Sequence, residues 1–481
     1  MSFKELKYKR IVFLTIVILF IYACNSETNT GKETTLKPNS VTYDTTLNTG
    51  SVIDSIACRV NNSNNYALYL PSYYTTKKKY PCVYFFDPHA NGALPLRKYK
   101  MLAEKYGFIF IGSNICKNGM QWQNTDEIVR TLMEDCQNKI SIDSNLIYTS
   151  GFSGGARVAG SVALFNGGIE GIIGCAAGFP DEAGKRIEYK FNYFGICGAL
   201  DFNLTDLEML DASLEQTGFN HQLIHNEGKH AWASPRDFET GLLWLQVNAM
   251  KEHKTLKKDT IIIKLKNDYI KRITDAKKNS DIIQEHDLLL GMIKVLDSLT
   301  DVIDYKKAYR NIDKDTDYKK TVKRNTYRQQ TELKEQQELT KQMSINDENW
   351  WALKINYLKG NQVKATLKED KQYNQRLLNY LGLIAYLNSN HSLNIGDLTN
   401  VIKYLKVFKL ADPDNSDCSY LKAIYYAKSN NTVDAIAALN EAAKLGYSDI
   451  AQVVNIQEFL YLQNNEAFKN ILIKIKENRL N

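Results

Sequence analysis

An α/β fold built on a mostly parallel sheet is predicted for residues 51–250 of this 481-residue chain, and an all-helical region after it. Three observations carry the prediction. Short apolar runs of strand composition alternate with amphipathic helical stretches as far as residue 250. The runs are almost continuously apolar, as strands covered on both faces must be. From about residue 251 the strand patterns thin out and helical spacing takes over.

Taken in order, YALYLP and CVYFFD (82–87) read as strands from their β-branched and aromatic content. LRKYKMLAEKYG is helical and stops at Gly107, and FIFIGS (108–113) is the next strand. Residues 125–139 place Ile128, Leu132 and Cys136 on one helical face. LIYTS (146–150) is a strand, followed by the small-residue helix ARVAGSVALFN. GIIGCAAG (171–178) and FNYFGICG (191–198) are strands, LTDLEMLDASLEQTG is a helix ending at Gly218, and HQLIHN (221–226) is a short strand. Ser234 and Pro235 open the helix SPRDFETGLLWLQVNAM as N-cap and first helical residue. Right-handed crossovers then bring the strand C-termini to one edge, where such sheets build their sites.

Composition is that of a globular protein, 44% hydrophobic and 24% charged. The net charge of +7 is small for the length and concentrates near the N-terminus, where Lys4, Lys7, Lys9 and Arg10 face only Glu5. That argues against a nucleic-acid partner. Residues 1–23 form a signal segment, a basic stretch followed by the short apolar run IVFLTIVILFIYA. The string IYAC resembles a bacterial lipobox, which implies cleavage after Ala23 and lipidation of Cys24; the alternative is a signal anchor. The lipidation reading places the chain in the bacterial cell envelope, tethered to a membrane by acyl chains. The polar, Thr/Asn-rich residues 24–50 read as a flexible tether. Of the other cysteines, Cys82, Cys175 and Cys197 sit in apolar runs and read as buried thiols. Cys116 and Cys136 are a conceivable pair that spacing does not decide. No Cys/His cluster has zinc spacing, and no metal or cofactor is expected.

Gly151-Phe152-Ser153-Gly154-Gly155 fits G-x-S-x-G at a strand-to-helix junction. In a nucleophile elbow the serine occupies a strained turn, and the flanking glycines avoid collision with neighbouring backbone. The alternative is an ordinary glycine-rich turn. A serine hydroxyl needs a base, and the base needs a carboxylate that fixes its tautomer. His230, in NEGKHAW after the strand HQLIHN, lies in a loop at the active edge. His221 and His225 fall at or inside that strand and read as structural, and His89 precedes the serine and is the weaker base candidate. Asp201, in CGALDFN just past a strand end, is the candidate acid, with Asp206 the alternative. The backbone N–H of Gly154 is one candidate oxyanion donor, and that of Asn91 or Ala90, in DPHANGALP, the second. Trp122 and Met120, in SNICKNGMQWQN, and Trp232 are candidate pocket residues or plain loop packing.

FFDPHANG, YTSGFSGGARVA, GALDFN and GKHAW, in that order, resemble the α/β-hydrolase superfamily, with the nearest likeness to bacterial exported esterases and polyhydroxybutyrate depolymerases. The resemblance covers about residues 50–250. It implies Ser153 as nucleophile, Asp201 as acid and His230 as base. His89-Ala90 stands where the commoner oxyanion loop has His-Gly, which leaves the second donor open.

Residues 251–345 read as a charged helical linker region, and 346–481 as a helical domain. Ala423, Tyr426, Ala435, Leu439 and Ala442 fall where a tetratricopeptide repeat places small and aromatic residues. Val401, Leu405, Phe408 and Pro413 fit the preceding repeat, so the region resembles a degenerate repeat pair, and a plain helical cap is the alternative. Two function classes follow. One is a membrane-anchored serine hydrolase acting on carboxylic esters, or on peptide bonds with the same parts. The other is an inactive scaffold that binds a protein or peptide through the repeats.

Overall fold

The apolar runs pair into one eight-stranded sheet. In the computed structural model, which describes residues 43–180 and 189–480, the strands are β1 (Val52–Ala57), β2 (Asn65–Tyr69), β3 (Tyr80–Phe86), β4 (Ile109–Ser113), β5 (Ile142–Phe152), β6 (Gly171–Cys175), β7 (Asn192–Gly198) and β8 (His221–Asn226). Their order is β1-β2-β4-β3-β5-β6-β7-β8. β2 runs antiparallel to β1 and β4, and every other pairing is parallel. β1 has no counterpart among the expected strands. It is an edge strand with Asp54 and Ser55 exposed, so it lacks the apolar run that marks the interior strands.

The strand pleat sends alternate side chains to opposite faces. Val83 and Phe85 join one core with α1 (Ala93–Tyr106) and α5 (Pro235–Lys251). Cys82, Tyr84 and Phe86 join the other with α2 (Trp122–Lys139), α3 (Gly154–Phe165) and α4 (Leu204–Thr217). Both faces of the central strands are therefore dry, which explains their uninterrupted apolar sequence. α5 starts as its sequence implies: Ser234 Oγ accepts from the Asp237 N–H at 3.1 Å, with Pro235 next to it.

The sheet's core does not end at residue 250. Helices α6 (Asp259–Lys278) and α7 (Ile282–Leu296) bring Tyr269, Leu288, Leu289 and Met292 into the α1/α5 core. After α8 (Ile303–Lys314), the charged stretch forms α9 (Thr316–Ile345). It is not solvated throughout. Glu332 and Gln336 are buried, and Leu339 and Met343 enter a second core farther along.

That second core belongs to α10 (Glu348–Lys364), α11 (Lys368–Ile395), α12 (Leu398–Ala411), α13 (Ser416–Lys428), α14 (Thr432–Lys444), α15 (Ile450–Asn455), a 3₁₀ turn at Gln457–Leu462 and α16 (Glu466–Leu480). Ala423, Ala435, Leu439 and Ala442 are fully buried between α13 and α14, where small side chains let two helices approach closely. Val401, Leu405 and Phe408 are buried on α12, while Tyr426 is only partly covered. The chain is thus a mostly parallel sheet with helices on both faces, followed by an all-helical region. The signal segment, Cys24 and residues 25–42 of the expected tether lie outside the described residues. Among the described residues, no helix is long and apolar enough to cross a membrane. The seven cysteines there, Cys116 and Cys136 included, are buried free thiols.

Candidate active site

Ser153 stands between β5 and α3 with φ 54° and ψ −121°. An L-residue held there stores on the order of 1–3 kcal/mol of backbone strain. The glycines around it are required by contact. A Cβ on Gly151 would lie 2.1 Å from the Gly155 carbonyl oxygen, and one on Gly155 would lie 2.0 Å from that of Phe86. The G-x-S-x-G letters therefore describe a corner pressed against β3 and its own helix.

Because β5, β7 and β8 are parallel, their C-termini deliver three loops to the same edge. Ser153 comes from the first, Asp201 from the second and His230 from the third. His230 Nε2 lies 2.9 Å from Ser153 Oγ. Its Nδ1 lies 3.0 Å from both carboxylate oxygens of Asp201. An ionised carboxylate only accepts, so the proton belongs on Nδ1 and Nε2 is left to accept from the serine hydroxyl. Asp201 is fully buried and also accepts from the Asn203 N–H at 2.9 Å. The imidazole is flanked by the rings of Phe152 and Phe202, with centroids at 4.7 and 4.3 Å. These rings cover the imidazole and lower the local dielectric around its hydrogen bonds.

The loops that carry Asp201 and His230 meet through another close approach. Leu200 N–H donates to the Gly228 carbonyl at 3.0 Å. A Cβ on Gly198 would lie 2.2 Å from that same oxygen. The alternatives fall elsewhere: Asp206 is exposed on α4, and His221 is buried with Nδ1 2.7 Å from the Phe219 carbonyl.

The loop 87–92 turns inward. Asp87 is buried, and its Oδ1 accepts from the N–H of His89 at 2.9 Å and of Asn91 at 3.4 Å. The Ala90 N–H donates to the Asp87 carbonyl at 3.1 Å. Neither candidate for the second oxyanion donor is thus aimed outward. Trp232 donates its Nε1–H to Asp87 Oδ2 at 2.9 Å, so this expected pocket residue ties the His230 loop to the loop after β3. Burial pushes the Asp87 carboxyl above its ordinary range, and the Trp232 and His89 donors oppose the shift. Trp122 lies at the start of α2 against Phe165, at the far end of α3 from Ser153, with centroids 5.7 Å apart.

Two features went unread in the sequence. Asn118, whose N–H donates to the Pro88 carbonyl at 2.9 Å, lays its side-chain amide over Gly154. Its Oδ1 lies 1.8 Å from where a Gly154 Cβ would be. The loop carrying Asp201 is also gripped from the helical region: Arg376 Nη1 donates to the Ala199 carbonyl at 2.9 Å, Asn379 Nδ2 to that of Leu200 at 2.7 Å and Gln336 Nε2 to that of Phe202 at 3.1 Å. Asn118 stood in a loop expected at this edge, whereas no local pattern marks the other three. Among the described residues no group of three His, Cys, Asp or Glu side chains could hold a metal ion.

No family model matches the sequence, and no curated protein does. Solved structures do. An S-formylglutathione hydrolase from Staphylococcus aureus matches at 13% identity and a TM-score of 0.34, over 40% of this chain and 97% of that one. A ferulic acid esterase matches at 17% and 0.32, over 40% and 94%. The dipeptidyl peptidase 4 of Porphyromonas gingivalis matches at 15% and 0.31, over 40% and 34%. At these identities they are likenesses of fold alone.

Proposed function

We propose that this chain is a serine hydrolase that cleaves carboxylic esters through an acyl-enzyme. The observation that carries the reading is the unbroken hydrogen-bond chain from Ser153 through His230 to Asp201. Ser153 Oγ bonds to the acyl carbon while its proton passes to His230 Nε2. The same proton then goes to the departing alkoxide, and a water molecule releases the acyl group by the reverse sequence. Asp201 holds the Nδ1 tautomer and stabilises the imidazolium. The developing oxyanion is met by the Gly154 N–H, at the N-terminus of α3 where first-turn donors have no carbonyl one turn back. The Asn118 amide, once its Nδ2 faces the substrate, is the second donor, since the Ala90 and Asn91 N–H groups are directed at Asp87.

Fluorophosphonate labelling tests the reading. Covalent modification of the wild-type chain, lost in Ser153→Ala, supports it; a folded wild-type chain that takes up no label sinks it. A panel of p-nitrophenyl esters and aminoacyl anilides then separates ester from peptide cleavage, since both reactions use the same triad. Turnover of the anilides alone would make the chain a peptidase. An inactive scaffold would take no label yet retain a partner on α10–α16.

The remaining parts of the proposal concern the ends of the chain. Cys24 is lipidated and anchors the hydrolase at a membrane of the bacterial cell envelope, and incorporation of labelled palmitate should vanish in Cys24→Ala. The α11–α14 hairpins form a tetratricopeptide-like pair open to a protein or peptide partner.

A further inference from the structure

The loop from Ala199 to Asn203 places the Asp201 carboxylate, yet little within the loop holds its carbonyls. Its N–H groups are spent locally: Ala199 donates to the Asn226 carbonyl at 2.7 Å, Leu200 to that of Gly228 at 3.0 Å and Asp201 to that of Gly198 at 3.0 Å. Three of its carbonyls are taken by side chains from α9 and α11. Arg376 serves Ala199 and Asn379 serves Leu200, the two residues just before the acid, and Gln336 serves Phe202, the residue just after it.

Arg376 is itself locked. It is 6% exposed, and its Nε and Nη2 meet the two oxygens of Glu332, which is fully buried, at 2.8 and 2.6 Å. A guanidinium fork pinned in this way leaves Nη1 in one orientation. Phe202 touches both sides of the junction. Its ring lies 4.3 Å from the His230 ring and 6.5 Å from that of Tyr380 on α11. Lys368, at the start of α11, pairs with Glu227 in the loop that carries His230 at 2.6 Å.

We infer that the helical region completes the hydrolase site, with Arg376 and Asn379 acting as positioning residues that hold the Asp201 carboxylate against His230. The inference rests on the serine-hydrolase reading above and extends it to α11, a helix remote in sequence from the triad. The physical requirement is strict, because a displacement of about 1 Å in a catalytic group can cost on the order of a hundredfold in rate. Loosening the loop weakens the Asp201–His230 bond. The imidazolium is then less stabilised, and the neutral base persists to lower pH.

The test is the rate of fluorophosphonate labelling across pH in the full chain. Arg376→Met alone would strand the buried Glu332 carboxylate, so it is made together with Glu332→Gln; Asn379→Leu is the milder variant. Circular dichroism and melting temperature establish folding. The double variant should label roughly 10–100-fold more slowly and Asn379→Leu roughly 3–10-fold, in both cases with the acidic limb of the pH–rate profile moved to lower pH. A merely structural role would lower the active fraction equally at every pH and leave the limb in place. Folded variants that label at the wild-type rate, or more slowly with an unmoved limb, overturn the inference while the Ser153 reading stands. A folded wild-type chain without labelling at Ser153 overturns that reading and this inference with it.

Discussion

Two loops leave the same edge of the sheet and are held in different ways. The loop 87–92 closes on its own first residue: Asp87 gathers N–H groups from His89 and Asn91, and Trp232 seals it from the side. The loop 199–203 instead offers three backbone carbonyls to side chains of the helical region, more than 130 residues away in sequence. The first gathers its N–H groups on its own Asp87 and takes one further tie from Trp232. The second keeps its N–H groups local and gives three of its carbonyls to the helical region. A loop that brings its own acceptor tolerates change in distant elements; a loop that exposes carbonyls to a neighbour inherits that neighbour's position.

The comparison can be broken at several strengths. The largest effect is expected at the carboxylate itself. Asp201→Asn should lower turnover by about 10³–10⁴-fold with the fold intact, because the amide no longer fixes the Nδ1–H tautomer; steady-state kinetics and a melting curve check both parts. Next is the inward loop. Asp87→Ala removes the acceptor of two N–H groups and the Trp232 indole, and should destabilise the chain by about 2–3 kcal/mol in chemical denaturation. If the two loops are independently held, this cost adds to that of Asn379→Leu within about 0.5 kcal/mol, and a larger coupling would refute the contrast.

Gly198→Ala is a smaller probe of the junction between the Asp201 and His230 loops. Its Cβ would fall 2.2 Å from the Gly228 carbonyl. The backbone must shift, at a cost of about 1–3 kcal/mol, and labelling should slow with it. The smallest effect belongs to the opposite edge of the sheet, which serves as a control. Glu170 precedes β6, accepts from Asn192 Nδ2 and pairs with Lys254. Burial raises its carboxyl to about 6, with Lys254 opposing the shift. The folded chain therefore holds this proton more tightly than the unfolded one, and the group's contribution to stability is lost as pH rises from about 4.5 to 6. Glu170→Gln should gain about 1–2 kcal/mol relative to wild type across that window, read from melting temperatures at pH 4 and pH 7, with no change in labelling of Ser153.

Much of the sheet was legible because its signals are local. A buried strand must be apolar, and a capped helix must open on residues such as Ser234 and Pro235. β1 escaped because an edge strand faces water. The boundary at 250 escaped because α6 and α7 carry charges on one side, while Tyr269, Leu288 and Met292 on the other complete the sheet's core. At the site, the three letters of the hydrogen-bond chain were readable from their places at strand ends. The donors were not: the direction of an N–H in the loop 87–92 depends on where the Asp87 side chain lies, and the letters leave that open.

The sequence by itself determined the layer architecture, the strained corner at Ser153 and the residues that meet there, since periodicity and glycine placement act over a few residues. Only the tertiary structure decided that α9 and α11 grip the loop that carries Asp201. Hydrogen bonds from Arg376, Asn379 and Gln336 to backbone carbonyls leave no trace in the sequence of the loop they hold, because every residue offers the same carbonyl oxygen.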